Sequence, residues 1–152
     1  MSDEVFLLET SGTLISGFHN YVERPEWLLI ENSIEAVYKA GGDIKLRRGQ
    51  PGHERSQGFI IFESLCMEAI SQKFRLVYFP KVKNLKGKLE VREWRDFSKS
   101  PDRKLERFGD DEWDASTICS DINVAKNIFK EYFDNEGVAD YFLSQVRSIW
   151  AD

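Results

Sequence analysis

The sequence predicts an α+β fold in which one helix from the N-terminal half and two C-terminal helices pack on an antiparallel β-sheet. Two observations predict it. Apolar residues recur at the helical period of about 3.6 in 24–42, alternate at about 2 in 43–94, and return to the helical period after 121. Strands grouped apart from helices are typical of α+β proteins. No linker interrupts the 152 residues, so we expect one domain over 1–152.

The N-terminal part of the chain is predicted to form two strands and a helix. The runs "VFLLET" and "TLISGF" read as short strands on either side of Ser11 and Gly12. The run "RPEWLLIENSIEAVYKAGG" predicts a helix with Pro25 in its first turn and Gly41 and Gly42 at its end. Its expected buried face has helical spacing and consists of Trp27, Ile30, Ile34, Val37 and Tyr38.

The middle of the chain is predicted to form antiparallel strands. These are "DIKLRR", "GFIIFES", "KFRLVYFP" and "KLEVREW", and the last alternates charged with apolar residues, which is typical of a half-exposed strand. The run "SLCMEAISQ" fits either a short helix or a continuing strand. We expect a hairpin turn in "KNLKGK", around Gly87, and polar loops over 47–58 and 95–104.

Two helices are predicted at the end of the chain. Ser120 or Asp121 is expected to cap the first, and Gly137 to end it. Its apolar stripe consists of Ile122, Ala125, Phe129, Tyr132 and Phe133. The run "VADYFLSQVRSIW" predicts the second, with Val138, Phe142, Val146 and Ile149 facing inward.

Composition narrows the function classes. A net charge of −5 disfavours general binding to nucleic acid, which depends on lysine and arginine neutralising phosphates. No apolar run approaches the roughly 20 residues of a membrane helix, and the acidic start "MSDEVFLLET" does not resemble a secretory signal. We therefore expect a cytoplasmic protein, or one released without such a signal. Cys66 and Cys119 lie in apolar surroundings and are expected to be free, buried thiols.

Most motifs of enzyme chemistry are missing. His19 and His53 lie far apart, in polar settings and outside any zinc-binding spacing. Neither a phosphate-binding glycine loop nor a serine nucleophile elbow occurs. We therefore expect no enzyme activity, no cofactor and no bound metal. Arg47, Arg48 and Arg55 are interpreted as a small basic patch on a solvated loop.

The acidic run Asp110, Asp111, Glu112 and Asp114 around Trp113 is the most informative cluster. Its carboxylates could serve as metal ligands or acid–base groups, but the run lacks the register of a calcium loop. They could instead form a surface for a cationic partner, with Trp113 as an anchor. A third interpretation is a solvated connection whose charge favours the following helix N-terminus, with Trp113 packed on the sheet.

The stretch "FGDDEWDASTICSDINVAKNIFKEYFDNEGVADYFL" resembles the C-terminal signature of small bacterial immunity-like proteins, including families encoded near polymorphic or contact-dependent toxins. The matching pattern is Gly-Asp, then Trp-Asp-Ala, an Asp that opens a helix, an aromatic helix end and a glycine turn. Those positions are Gly109, Asp110, Trp113, Asp114, Ala115, Asp121, Ile128, Phe129, Lys130, Glu131, Tyr132, Phe133 and Gly137. Here Glu112 adds an acid before Trp113, a departure from the pattern.

The resemblance implies a protein without catalytic residues that binds and blocks a cognate toxin, often a nuclease. An acidic chain suits a basic toxin, so Asp110, Asp111, Glu112, Trp113 and Asp114 are the expected contacts. Two other functions stay open. One is a small enzyme whose site assembles only in three dimensions, from His53, Cys66 and the acidic run. The other is a scaffold or ligand-binding module with no toxin partner.

Overall fold

A computed structural model describes residues 4–12, 19–51, 59–80, 91–96, 104–136 and 146–148. Seven strands form one antiparallel sheet in the order β2-β1-β3-β4-β5-β6-β9. The strands are β1 (Val5–Ser11), β2 (His19–Glu23), β3 (Gly42–Pro51), β4 (Phe59–Ile70), β5 (Lys73–Phe79), β6 (Arg92–Trp94) and β9 (Val146–Ser148). The sheet therefore places consecutive strands side by side from β3 to β6, and β1 lies between β2 and β3.

Two helices and a separate hairpin complete the described structure. The helices are α1 (Trp27–Ala40) and α2 (Ile122–Asp134). The hairpin pairs β7 (Leu105–Phe108) with β8 (Asp111–Asp114), and a 3₁₀ turn at Ala115–Thr117 follows it. No helix in these parts of the chain is long and apolar enough to cross a membrane.

Both helices pack on the same face of the sheet. Strand register places Leu8, Leu46, Leu65 and Tyr78 in one row across β1, β3, β4 and β5, and all four side chains are buried. Ile30 and Ile34 of α1 and Phe129 of α2 are fully buried against this row and belong to the same apolar core. Alternation along the strands sends every second side chain to the opposite face.

Local chemistry fixes the ends of the helices. Gly41 ends α1 at a φ of +85°, and its N–H donates to the Val37 carbonyl at 2.8 Å. The Asp121 carboxylate caps α2 by accepting the Asn123 N–H at 3.0 Å, which satisfies one of the unpaired donors of the first turn. Lys126 Nζ of α2 lies 2.5 Å from Glu35 Oε1 of α1 and links the two helices.

The α+β prediction with an antiparallel sheet is confirmed, as are α1, α2 and the Asp121 cap. The predicted helix over 138–150 is wrong at Val146–Ser148, which form strand β9 paired with β6. The remainder of that helix, Gly137, the 13–18 strand and the 83–88 turn lie outside the described residues. Pro25 precedes α1, whose N-cap is Glu26, and does not lie in its first turn.

The structure also resolves one ambiguous run and corrects one loop prediction. The ambiguous run at 64–72 is mainly strand, because β4 continues without interruption through Ile70 before a two-residue turn. The predicted loop at 47–58 belongs to strand β3 as far as Pro51, so Arg47 and Arg48 do not lie on a solvated loop. The position of Arg55 falls outside the described residues.

Candidate partner-binding hairpin

The acidic run lies on the β7–β8 hairpin and not on the irregular connection that its composition predicts. Gly109 and Asp110 form the two-residue turn, and Gly109 has a φ of +66°, a conformation that favours glycine. A Cβ atom at Gly109 would lie 2.9 Å from Ile70 Cδ1, at the end of β4. The turn of the hairpin therefore lies directly against the sheet.

Trp113 attaches the hairpin to strand β5. The Arg75 guanidinium carbon lies 3.6 Å from the centroid of the Trp113 ring, within the range of a cation–π contact. The same guanidinium donates to Glu93 Oε2 at 2.8 Å, and both charged side chains are buried. Trp113 itself remains 38% exposed. One face of its ring therefore covers a buried ion pair, while part of the ring is accessible to a partner.

Asp114 has a structural role. Its Oδ1 atom accepts the Ser116 N–H at 2.9 Å and the Ser116 hydroxyl at 2.7 Å, and its carbonyl accepts the Thr117 hydroxyl at 2.7 Å. These bonds form the 3₁₀ turn that leads back to the sheet, where Cys119 exchanges two backbone hydrogen bonds with Phe74 of β5. The Asp114 carboxylate is thus engaged within the fold.

The other three acidic side chains are Asp110, Asp111 and Glu112, and we call them the acidic tip. All three are exposed. Within the described residues none of them forms an ion pair, and the nearest cation on the hairpin, Arg107, donates from Nε to the Gly109 carbonyl at 3.2 Å. In the same parts of the chain, no three His, Cys, Asp or Glu side chains are grouped as a metal ion would require.

The remaining sequence candidates are not brought to the hairpin. His53 lies outside the described residues, and His19 begins the edge strand β2. Both cysteines are free; Cys119 is buried and Cys66 partly buried. Burial is the main cause that raises the pKa of the Cys66 thiol to about 11. At neutral pH this thiol is almost entirely protonated, which makes it a poor nucleophile.

Sequence reasoning missed a second charged cluster, which we call the Arg48 cluster. Arg48 Nη2 lies 2.9 Å from Glu4 Oε2, and Arg48 Nη1 lies 3.4 Å from Glu63 Oε1 and also donates to the Glu136 carbonyl. The Tyr78 hydroxyl donates to Glu63 Oε2 at 2.8 Å. Spacing along the chain gives no sign of this cluster, since Arg48 and Glu63 meet only through strand register.

Nearby, the hydroxyl of Tyr132 is buried and makes no hydrogen bond with the described residues. Burial is the main cause that raises the pKa of both Tyr132 and Tyr78 above the ordinary phenol value, and the charge of Glu63 adds to it. Both phenols are therefore protonated at neutral pH.

Residues 10–142 match the model of a family described as a family of unknown function, DUF6911. The crystal structure of a hypothetical protein from Neisseria gonorrhoeae is similar to this chain, with a TM-score of 0.62 and 13% sequence identity over 92% of this chain and 94% of that chain. At that identity the likeness concerns the fold alone. Among curated proteins, none matches this chain. Since the family match spans most of the sequence, the chain belongs to DUF6911, a family of unknown function.

Proposed function

We propose that this protein acts by stoichiometric binding to a basic protein partner, in the manner of an immunity protein that neutralises a cognate toxin such as a nuclease. The observation that carries the proposal is the acidic tip, where three exposed carboxylates have no ion-pair partner among the described residues. The toxin as partner rests on the sequence resemblance to immunity-like proteins.

The attachment of the hairpin supports this proposal. Trp113 stacks on Arg75, and Glu106 Oε2 lies 3.5 Å from Lys73 Nζ, so both strands of the hairpin contact β5. A binding surface held in place loses less conformational entropy on association than a mobile loop does. Unpaired carboxylates on such a support attract a basic surface over a distance and increase the association rate.

The first test is capture of a partner by the tagged full-length protein in its native host, followed by co-expression of that partner in a sensitive strain. An immunity protein restores growth in the presence of the captured partner. If the partner does not inhibit growth by itself, the toxin assignment is wrong, although stoichiometric binding would still hold.

A second test concerns the tip itself. Combined Asp110→Asn, Asp111→Asn and Glu112→Gln substitutions should lower the association rate by about tenfold at low ionic strength, because electrostatic steering is lost. Stopped-flow or surface-plasmon kinetics at several salt concentrations would measure this. The control removes three exposed acids elsewhere, through Glu23→Gln, Glu26→Gln and Asp134→Asn. Equal rates for the two triple variants would place the interface away from the hairpin.

A further inference from the structure

A groove of about 400 Å³ opens where the end of α1 meets the start of β3 and the end of β4. This volume lies within the range of roughly 300–1,000 Å³ that ligand pockets occupy in proteins. Its lining includes two glycines, Gly41 and Gly42, the polar side chains of Asp43, Glu68 and Ser71, and apolar side chains that include Ala40 and Ile70.

The polar chemistry of the groove is dominated by hydrogen-bond acceptors. Asp43 and Glu68 are directly opposite each other in the register of β3 and β4, so their side chains project from the same face of the sheet. The Ser11 hydroxyl donates to Asp43 Oδ1 at 2.7 Å. The C-terminal end of α1 adds the partial negative charge of its last carbonyls. Such a lining favours an ammonium or guanidinium group.

Arg75, the cation directly opposite Glu68, is engaged elsewhere. Arg75 lies opposite Glu68 in the register of β4 and β5, but its guanidinium donates to Glu93 and stacks on Trp113. Within the described residues Glu68 therefore forms no ion pair, and its side chain is exposed. Lys45 lies two residues after Asp43 on β3, on the same face of the sheet. It is opposite Cys66 in the register, next to the pair of Asp43 and Glu68.

The groove lies beside the hairpin turn that precedes the acidic tip. Ile70 lines the groove and is also the side chain that a Cβ at Gly109 would meet at 2.9 Å. Gly109 immediately precedes Asp110, the first acid of the tip. The acidic tip therefore begins one residue after a glycine that lies against the lining of the groove.

From this geometry, and on the basis of the function proposed above, we infer that the groove receives an arginine or lysine side chain of the basic protein partner while the acidic tip contacts the same partner beside it. The apolar stem of such a side chain would lie along Ile70, and its charged head would reach Asp43 and Glu68. The groove would then fix the register of a partner that the tip attracts.

A nitrogen-15 NMR titration of the full-length protein tests this inference. The probe is a short peptide of alternating glycine and arginine, and its neutral control replaces each arginine by citrulline. We expect the arginine peptide, and not the citrulline peptide, to shift the amide signals of both the groove, at Gly41 and Gly42, and the tip, at Asp110 and Asp111.

Two variants then localise the contact. Glu68→Gln should weaken binding of the arginine peptide about threefold to fivefold, the value of one exposed ion pair, whereas Glu23→Gln removes the same charge from β2 and should have no effect. Ala40→Leu narrows the groove without changing its charge and should weaken binding by a similar factor. If only the Glu68 variant has an effect, the charge acts at a distance and insertion into the groove is wrong.

The remaining outcomes separate this inference from the proposed function. Signals that shift at the tip alone would overturn the groove contact and leave the proposed function intact. A probe of free arginine amide that shifts the groove and not the tip would make the groove a small-molecule site, which also overturns the inference. If the peptide shifts neither region, both the groove contact and the basic-partner surface are wrong.

Discussion

The acidic tip and the Arg48 cluster both bring carboxylates together, but only those of the Arg48 cluster are paired with a cation within the described residues. At the tip, Asp110, Asp111 and Glu112 are exposed and form no ion pairs among the described residues. In the Arg48 cluster, Glu4 and Glu63 are largely buried and share one guanidinium. Removing one member of a buried charge pair destabilises the fold, because the other charge is left without compensation, whereas unpaired surface charge is available for binding.

The strongest test of this contrast is to remove one arginine from each region. Arg48→Met should lower the free energy of unfolding by about 3 kcal/mol, because the Glu63 carboxylate would remain buried without a cation to balance its charge. Arg107→Met, at the exposed hairpin, should change it by less than about 0.5 kcal/mol. Urea unfolding monitored by fluorescence measures both.

A second substitution checks the cause of the large effect. Adding Glu63→Gln to Arg48→Met removes the buried charge that has lost its cation, so the double variant should be more stable than Arg48→Met alone. If Arg48→Met costs no more than Arg107→Met, the Arg48 cluster is not a stabilising element and the contrast with the tip fails.

The two tyrosines of the Arg48 region provide a smaller, matched test. Tyr78→Phe should cost about 1.5 kcal/mol, since it removes the hydrogen bond to the buried Glu63 carboxylate. Tyr132→Phe should be neutral or slightly stabilising, because its buried hydroxyl has no hydrogen-bond partner among the described residues. Equal losses in thermal or urea unfolding would show that the Tyr132 hydroxyl is bonded, for example through a buried water.

The comparison also explains which parts of the fold the sequence could predict. Helices α1 and α2 follow from local patterns, because each has an apolar face at helical spacing, with Ile30 and Ile34 in one and Phe129 and Tyr132 in the other. The Asp121 cap is equally local, since its carboxylate reaches an N–H only two residues away. Information of this kind lies within a few neighbouring residues.

The errors occur where distant partners decide the structure. Val146 belongs to an apolar pattern that suits a helix, yet pairing with β6 places Val146–Ser148 in a strand. The acidic residues of β8 have little intrinsic preference for strands, and their conformation depends on pairing with β7 and on the contact of Trp113 with Arg75.

The Arg48 cluster shows the same limitation at a candidate site. Arg48 on β3 is paired with Glu63 on the neighbouring strand β4. Because the register of these strands shifts at Arg48/Gly49, the spacing along the sequence does not predict this pair. The acidic tip, by contrast, can be identified directly in the sequence, because its three acidic residues are consecutive in the chain. Its position on a hairpin turn against Ile70 depends on tertiary contacts.

The smallest expected effect concerns the stability of the tip itself. Asp110→Asn, Asp111→Asn and Glu112→Gln together should change the free energy of unfolding by less than about 0.5 kcal/mol, because these side chains form no ion pairs among the described residues. At low salt the triple variant should be slightly more stable than the parent, since neighbouring like charges repel, and this difference should vanish as salt screens them. Urea unfolding at two ionic strengths measures both quantities. A loss above about 1 kcal/mol would mean that the tip has an intramolecular partner and contributes to the fold, and its carboxylates would then no longer be free for a basic protein.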